Sequence, residues 1–279
     1  MFAVEKMCKV FEISRSGFYE WSKRKPSKRT VQREKLVKQV RGVYEKSLGR
    51  YGSPKITREL KKNGFKTSRP RVARIMKSEG IRSIYAGKYR VCTTESNHCM
   101  MISPNLLDRN FRVENPSKAW VSDITYIGTS EGWLYLTIIM DLYDRKIIGW
   151  SMSTTLCASE TAVAAWRMAK LNRPPVKGLI FHSDRGIQYA CHEFRNELQP
   201  EIVTQSMSRK GNCWDNAVAE NFFKILKSET MNKKYESYRE AKLSLFDFIE
   251  NWYNRVRIHS ALGYLTPEQF GKTIEIKAA

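Results

Sequence analysis

No stretch of this 279-residue chain is apolar for long enough to cross a bilayer. Its opening, MFAVEKMCKV, has neither the apolar core nor the cleavage site of a signal peptide. The expectation is a cytoplasmic protein with no membrane partner. None of the six cysteines (Cys8, Cys92, Cys99, Cys157, Cys191, Cys213) forms a C-x-x-C pair. In a reducing compartment a disulfide scaffold is not expected. Histidine is scarce, with four in all and none before His98. His98-Cys99 and Cys191-His192 therefore match no structural zinc spacing. Acidic residues are few in the first half. Residues 1–115 hold 28 Lys and Arg against 10 Asp and Glu, so +18 of the formal +21 lies there and only +3 in the remainder. Solubility alone would not concentrate charge at one end, so the first half points to a polyanion partner.

What is present is enough for a globular protein. Hydrophobic residues make up 42% of the chain, and the length suffices for one full core plus one or two smaller domains. Val4 to Val10 reads as a short helix, Phe11 to Ser14 as a turn with Ser14 as N-cap, and Arg15 to Arg24 as a second helix with Phe18 and Trp21 inward. Helix, turn, helix fits either a DNA-binding motif presenting Arg15 or a plain helical hairpin. After a basic linker comes a helix from Gln32 to Lys46, with Leu36, Val40 and Val43 inward. Ser53 and Pro54 open the next helix, which ends at Asn63-Gly64. Ser68 caps a third, which carries Arg69, Arg71, Arg74 and Lys77 beside an apolar side of Val72, Ile75 and Met76. That basic helix could read bases or only neutralise phosphate. Residues 86–115, with Lys88, Arg90, Arg109 and Arg112, read as a polar, irregular linker.

From Trp120 the pattern changes to strands: Trp120–Ile127, Gly132–Leu142 and Lys146–Ser153 joined by short turns. A helix from Ser159 to Leu171, a strand at Leu179–His182, a helix at His192–Leu198 and a strand at Ile202–Gln205 follow. The next helix has Asp215 and Asn216 as N-cap candidates and a core stripe of Val218, Phe222 and Ile225. Glu220, Lys224 and Lys227 share another face, which on spacing alone reads as a solvated, ion-paired surface. Ser237 to Glu240 reads as a capping box before a helix with Leu243, Phe246 and Ile249 inward.

Two acids upstream change the weight of Glu220. Asp123 sits inside a β-type run, WVSDITYI, where Asp is disfavoured. Asp184 ends another, in FHSDRGIQY, where a turn-initiating Asp is the ordinary reading. From Asp184 to Glu220 there are 35 intervening residues, with Lys227 seven positions after the Glu. This trio, with the blocks DLYDRKIIGW, SMSRKGNCWDNAVAENFFKILKSE and YNRVRIHSALGYLTPEQF, resembles the frame-B transposase of the bacterial insertion-sequence-three family, a DDE type like retroviral integrases.

The resemblance implies an α/β, ribonuclease-H-like (integrase catalytic core) domain preceded by all-α helix-turn-helix segments. The expected boundaries are a helix-turn-helix segment at 1–30, a three-helix DNA-binding domain at 31–85, the linker at 86–115, the catalytic core at 116–235 and a helical tail at 236–279. It implies that Asp123, Asp184 and Glu220 are catalytic and hold two Mg²⁺ ions, Mn²⁺ being able to substitute. Asp123 would bridge the ions, and Asp184 and Glu220 would each hold one. Lys227 and Lys224 would contact DNA, with Lys227 on phosphate. His182 and Asn216 would support the site from behind. The turn acids Asp141 and Asp144 are read as structural. Expected partners are duplex DNA at element ends and target, further copies of the chain, and a frame-A protein or fusion. The Met1 start suggests the frame-B product alone, on the bacterial nucleoid. A catalytically inactive DNA-binding regulator and a ribonuclease-H-like nuclease are the alternatives.

Overall fold

The computed structural model describes residues 3–84, 99–230 and 234–278. Lys88, Arg90, Cys92 and His98 lie outside the described residues. The chain divides into two compact units, Met1–Ser83 and Ile84–Ala279.

The first unit is helical: α1 (Val4–Val10), α2 (Arg15–Lys23), α3 (Lys28–Lys46), α4 (Ser53–Lys62) and α5 (Arg69–Ser78). Ser14 caps α2 by accepting from the Gly17 N–H, as expected. Trp21, expected inward, is instead 67% exposed, and only Phe18 is half-buried. A nine-residue helix on a short α1 has too little surface opposite it to cover both rings. The core of this unit is made further on, by Leu36, Val40, Ile56, Leu60, Val72, Ile75 and Met76. Tyr44 Oη donates to the Arg82 carbonyl at 2.7 Å and Arg41 pairs with Glu79 at 2.9 Å, tying α3 to the end of α5. Gly52, not Ser53, is the N-cap of α4. Gly64 and Gly80 close α4 and α5 at φ +83° and +66°, left-handed positions that suit glycine.

The second unit is built on a five-stranded sheet in the order β3-β2-β1-β4-β5. The strands are β1 (Ala119–Thr129), β2 (Gly132–Asp141), β3 (Ile147–Ser153), β4 (Leu179–Ser183) and β5 (Val203–Met207). The first three form an antiparallel meander, and β4 and β5 add on parallel to β1. A π turn (Ser159–Val163) leads into α6 (Ala164–Asn172), followed by α7 (Ile187–Ala190) and α8 (His192–Glu197). Strand alternation sends Trp120, Ile139 and Phe181 to one face, into a core with Trp166, Tyr189 and Phe194. Trp166 packs edge-on against Phe181 at 5.4 Å. Gly149 is needed there, because a Cβ would sit 2.3 Å from the Ala165 carbonyl oxygen of α6.

Beyond the sheet lie α9 (Ala217–Thr230), α10 (Tyr238–Phe246), a π turn (Asp247–Tyr253) and α11 (Pro267–Ala278). The stripe of α9 differs from the sequence expectation. Ala219, Phe222, Phe223 and Leu226 are buried, while Val218 and Ile225 are only half-buried. The helix is rotated by about one position, or 100°, because Phe223 as well as Phe222 finds the core. Leu243 and Phe246 of α10, expected inward, are 63% and 46% exposed; Ala241, Leu245 and Phe248 are buried in their place, and Ile249 is buried as expected. Small Ala241 lets the helix approach closely. Phe222 meets Tyr253 edge-on at 4.7 Å, so the terminal block packs directly on α9. Glu229 strengthens that contact by accepting from the Trp252 indole at 2.8 Å and from Arg257 at 3.1 Å.

Residues 103–109, expected to be linker, dock on β5. The Leu106 and Leu107 N–H groups donate to Ser206 Oγ, and Leu107 is buried.

Candidate active site

The parallel pairing of β1 with β4 matches Val121 to His182. Continued by two residues, that register sets Asp123 level with Asp184, and alternation places both on the face that α9 covers. Both are half-buried. Asp123 accepts from the Ile124 N–H at 2.9 Å, and Asp184 accepts from the Gly186 N–H at 2.9 Å. Burial pushes the Asp123 carboxyl well up, and the charges of Asp184 and Glu220 push it further, against the opposing pull of Lys227. Glu220 is exposed, yet partial desolvation and then Asp184 raise its carboxyl too.

The rotation of α9 explains the meeting. Glu220 stands beside the buried stripe, about 100° from Ala219, and not opposite it as the expected stripe would have required. Lys227 follows on the same flank, half-buried. Burial lowers its ammonium while Asp123 opposes that shift. Lys224 is exposed. The three acids thus form an open cluster coupled by charge. Among the described residues no three His, Cys, Asp or Glu close around a metal position. Their chemistry nonetheless fits a hard divalent cation. The donors are all carboxylate oxygens, half-desolvated and mutually repelling, and an ion between them removes that repulsion.

The supporting residues divide. Asn216 donates to the Ser122 carbonyl at 3.0 Å, fixing the entry to α9 against the strand beside Asp123. His182, two residues before Asp184 on the same face of β4, is engaged by hydroxyls. Its ring nitrogens meet Ser206 at 2.8 Å and Ser208 at 3.2 Å, and burial lowers it to about 4. It is a neutral link between β4 and β5, because strand alternation gives it a buried position with two hydroxyls.

Asp215 was expected to cap α9 but does something else. The helix begins at Ala217 after a 3₁₀ turn, Cys213–Asn216. Asp215 is wholly buried and accepts from the Arg209 N–H and guanidinium, from Arg109 and from Asn105, all within 3.0 Å. No sequence signal joins residues so far apart; the nearby Arg209, six positions before the acid, was the one hint. The hydrogen bonds from Arg209 hold the Asp215 carboxyl far below the usual carboxylate range. A carboxyl depressed on folding contributes stability above its ordinary 3.8, and that contribution is lost as pH falls through the folded value. Asp215→Asn should therefore cost roughly 1–2 kcal/mol at pH 7, allowing for half-exposed partners. In urea titrations its deficit should shrink below pH 4. A constant deficit down to pH 2 would contradict this account.

Of the residues expected on DNA, Arg69, Arg71, Arg74 and Lys77 are all exposed on α5. A groove of about 600 Å³ beside α5 is lined by Lys61, Lys66 and Arg71. Arg15 is exposed on α2 and pairs with Glu5 at 3.1 Å. Asp141 and Asp144 are buried and structural in their contacts, held by Arg173 at 2.7 and 2.6 Å.

Known proteins resemble this chain over most of its length. Two family models described as integrase core domain match residues 113–213 and 201–267, and one described as HTH-like domain matches residues 32–89. The chain is 38% identical over 274 residues to the insertion element IS600 uncharacterized 31 kDa protein of Shigella sonnei, covering 98% of this chain and 100% of that one. It is 38% identical over 272 residues to the transposase InsF for insertion sequence IS3A of Escherichia coli K12, covering 96% and 94%. Among solved structures, an intasome of simian T-cell lymphotropic virus aligns over 82% of this chain and 73% of its own, with 14% identity and a TM-score of 0.46. The HTLV-2 integrase catalytic core domain in complex with magnesium aligns over 56% and 97%, with 17% identity and a TM-score of 0.42.

Proposed function

The chain belongs to the family of the IS3 transposases, and from that premise we propose that Asp123, Asp184 and Glu220 carry its DNA strand transfer. It is a DNA transposase with an integrase core and an HTH-like domain. What supports the site assignment is the parallel pairing of β1 with β4, which continued by two residues sets Asp123 level with Asp184, together with the charge coupling of these acids to Glu220 of α9.

In this reading the reaction depends on a divalent cation. The three carboxylates would hold Mg²⁺, or Mn²⁺ in its place, as two ions, which would supply polarisation of the phosphodiester and activation of the attacking water or 3′-hydroxyl. The chain's own part is to hold the groups still. Asn216 and the Asp215 cluster fix the loop before α9, and the Glu229 contacts fix its far end. Lys227 and Lys224 offer point charges to substrate phosphate. No Ser or Tyr nucleophile is needed. Arg69, Arg71, Arg74 and Lys77 of α5, and Arg15 of α2, contact duplex DNA. The active complex contains several copies of the chain, and a frame-A partner or fusion supplies part of end recognition.

A labelled duplex bearing the element's end, incubated with and without Mg²⁺, tests this. Metal-dependent nicking and joining of the 3′-hydroxyl to a second duplex is expected. Binding without cleavage would favour a regulator, and cleavage of RNA in a hybrid would favour a nuclease. The basic first unit makes its own prediction. If residues 1–83 neutralise about six phosphates, log K against log salt should fall with a slope near −5. A salt-independent affinity, or none, would overturn that role.

A further inference from the structure

We propose that Trp214 stacks on a nucleobase freed from pairing at the DNA end that this site processes; this rests on the transposase reading above. Trp214 is 68% exposed, although the two residues that follow it, Asp215 and Asn216, are buried. A singly exposed apolar side chain is ordinary; what sets Trp214 apart is an exposed ring on a fixed backbone, next to a residue gripped by partly exposed arginines. Other exposed tryptophans lean on rings of their own units: Trp133 meets Tyr126 edge-on at 5.9 Å and Trp21 lies 6.2 Å from Phe18.

The indole is exposed, but its backbone is held. Asn212 Oδ1 accepts from the Trp214 N–H at 3.2 Å. The next residue, Asp215, is locked by Arg209, Arg109 and Asn105, and the one after donates to the Ser122 carbonyl beside Asp123. An aromatic ring on a fixed turn loses little freedom on binding a flat partner. The turn leads straight into α9, so the ring stands six positions before Glu220.

Charge selects the kind of partner. Arg209 and Arg109 grip Asp215 from the protein side but keep 49% and 45% of their side chains exposed. Lys210 is exposed beside them. An exposed π face one residue from the carboxylate that these guanidinium groups grip suits a base attached to a phosphate chain. A paired base inside a duplex offers no free face, so the partner is a base unpaired at the end.

The test uses the full chain and duplexes carrying the element's end. Trp214→Ala should slow cleavage at a fully paired end about tenfold or more, with an unchanged melting temperature. Trp214→Phe should recover most of the rate. A duplex mismatched at the terminal pair should largely rescue the Ala variant, because unpairing no longer has to be stabilised. A loop that is merely misshapen would impair both duplexes equally, and that result would overturn the proposal. So would wild-type rates for the Ala variant on paired ends.

A second readout needs no metal and no turnover. With 5-iodouracil placed in turn through the terminal positions, irradiation should cross-link the DNA to the peptide holding Trp214. The cross-link should persist in Glu220→Gln and vanish in Trp214→Ala. Cross-linking with no cleavage by the wild type would sink the reaction assignment and leave the stacking intact. Cleavage with no cross-link at any position would do the reverse.

Discussion

Glu220→Gln is expected to lower strand transfer by about three orders of magnitude or more, a barrier increase of roughly 4 kcal/mol. Gln keeps the shape and helix propensity of Glu, and α9 keeps its buried stripe, so the loss isolates the charge. If Glu220 were only one member of a surface pair with Lys224, a few tenths of a kcal/mol would be lost and the rate would barely change. DNA binding should survive, because the basic first unit is untouched. Stability should move in the opposite direction to activity. Asp123 is raised above its ordinary 3.8 by burial, Asp184 and Glu220. A carboxyl raised on folding holds more protons folded than unfolded, so its contribution to stability falls as pH rises through the window above 3.8. Removing the Glu220 charge relieves part of that cost, and metal-free melting at pH 7 should hold or rise. The gain in melting temperature on adding Mg²⁺ or Mn²⁺ should shrink, because binding to the native state weakens. Near-normal strand transfer with an undiminished metal response would remove Glu220 from the site.

Arg173→Ala should be the most damaging change outside the site, costing about 3–5 kcal/mol. Arg173 is the guanidinium that meets both Asp141 at 2.7 Å and Asp144 at 2.6 Å, and both acids are buried. Asp141 also accepts from the Trp120 indole and the Ser117 N–H, so its carboxylate ties β1 and β2 to the chain entering the sheet. Without Arg173 two buried charges lose their counter-charge. The melting temperature at pH 7 should fall by roughly 10 °C for a unit of this size. Burial already holds Asp141 above its ordinary value, with Arg173 opposing. In the variant that opposition is gone, so the folded state takes up protons more readily. The deficit should be full at pH 7 and narrow as pH falls into the raised carboxylate range. A loss under 1 kcal/mol, or one that grows on acidification, would refute this role.

The family was legible in the amino-acid sequence through the resemblance of several blocks, and the succession of strands through runs bounded by turns. An Asp where strands disfavour it and the count from Asp184 to Glu220 singled out the three acids proposed as the site. The first unit's core was likewise legible, since Leu36, Val40, Val72, Ile75 and Met76 follow the helical period. Local signals failed where two faces competed. On α9 the sequence offers Val218-Phe222-Ile225 and Ala219-Phe222-Phe223-Leu226 alike, and only the partners decide. Phe248, Tyr253 and the sheet take the second set, and that one-position rotation carries Glu220 toward Asp123. The same holds for α10, where small Ala241 outcompetes Leu243 for the close approach. Asp215 shows the limit most plainly. Its position before a helix is that of a cap, and a cap needs only its neighbours. Of its partners, Arg209 is six residues away, but Asn105 and Arg109 lie more than a hundred residues away. Local period and turn chemistry determined which elements form and what chemistry they carry. Long-range packing alone decided which face each helix turns inward and which distant charges meet, because those choices depend on surfaces that exist only once the sheet has assembled.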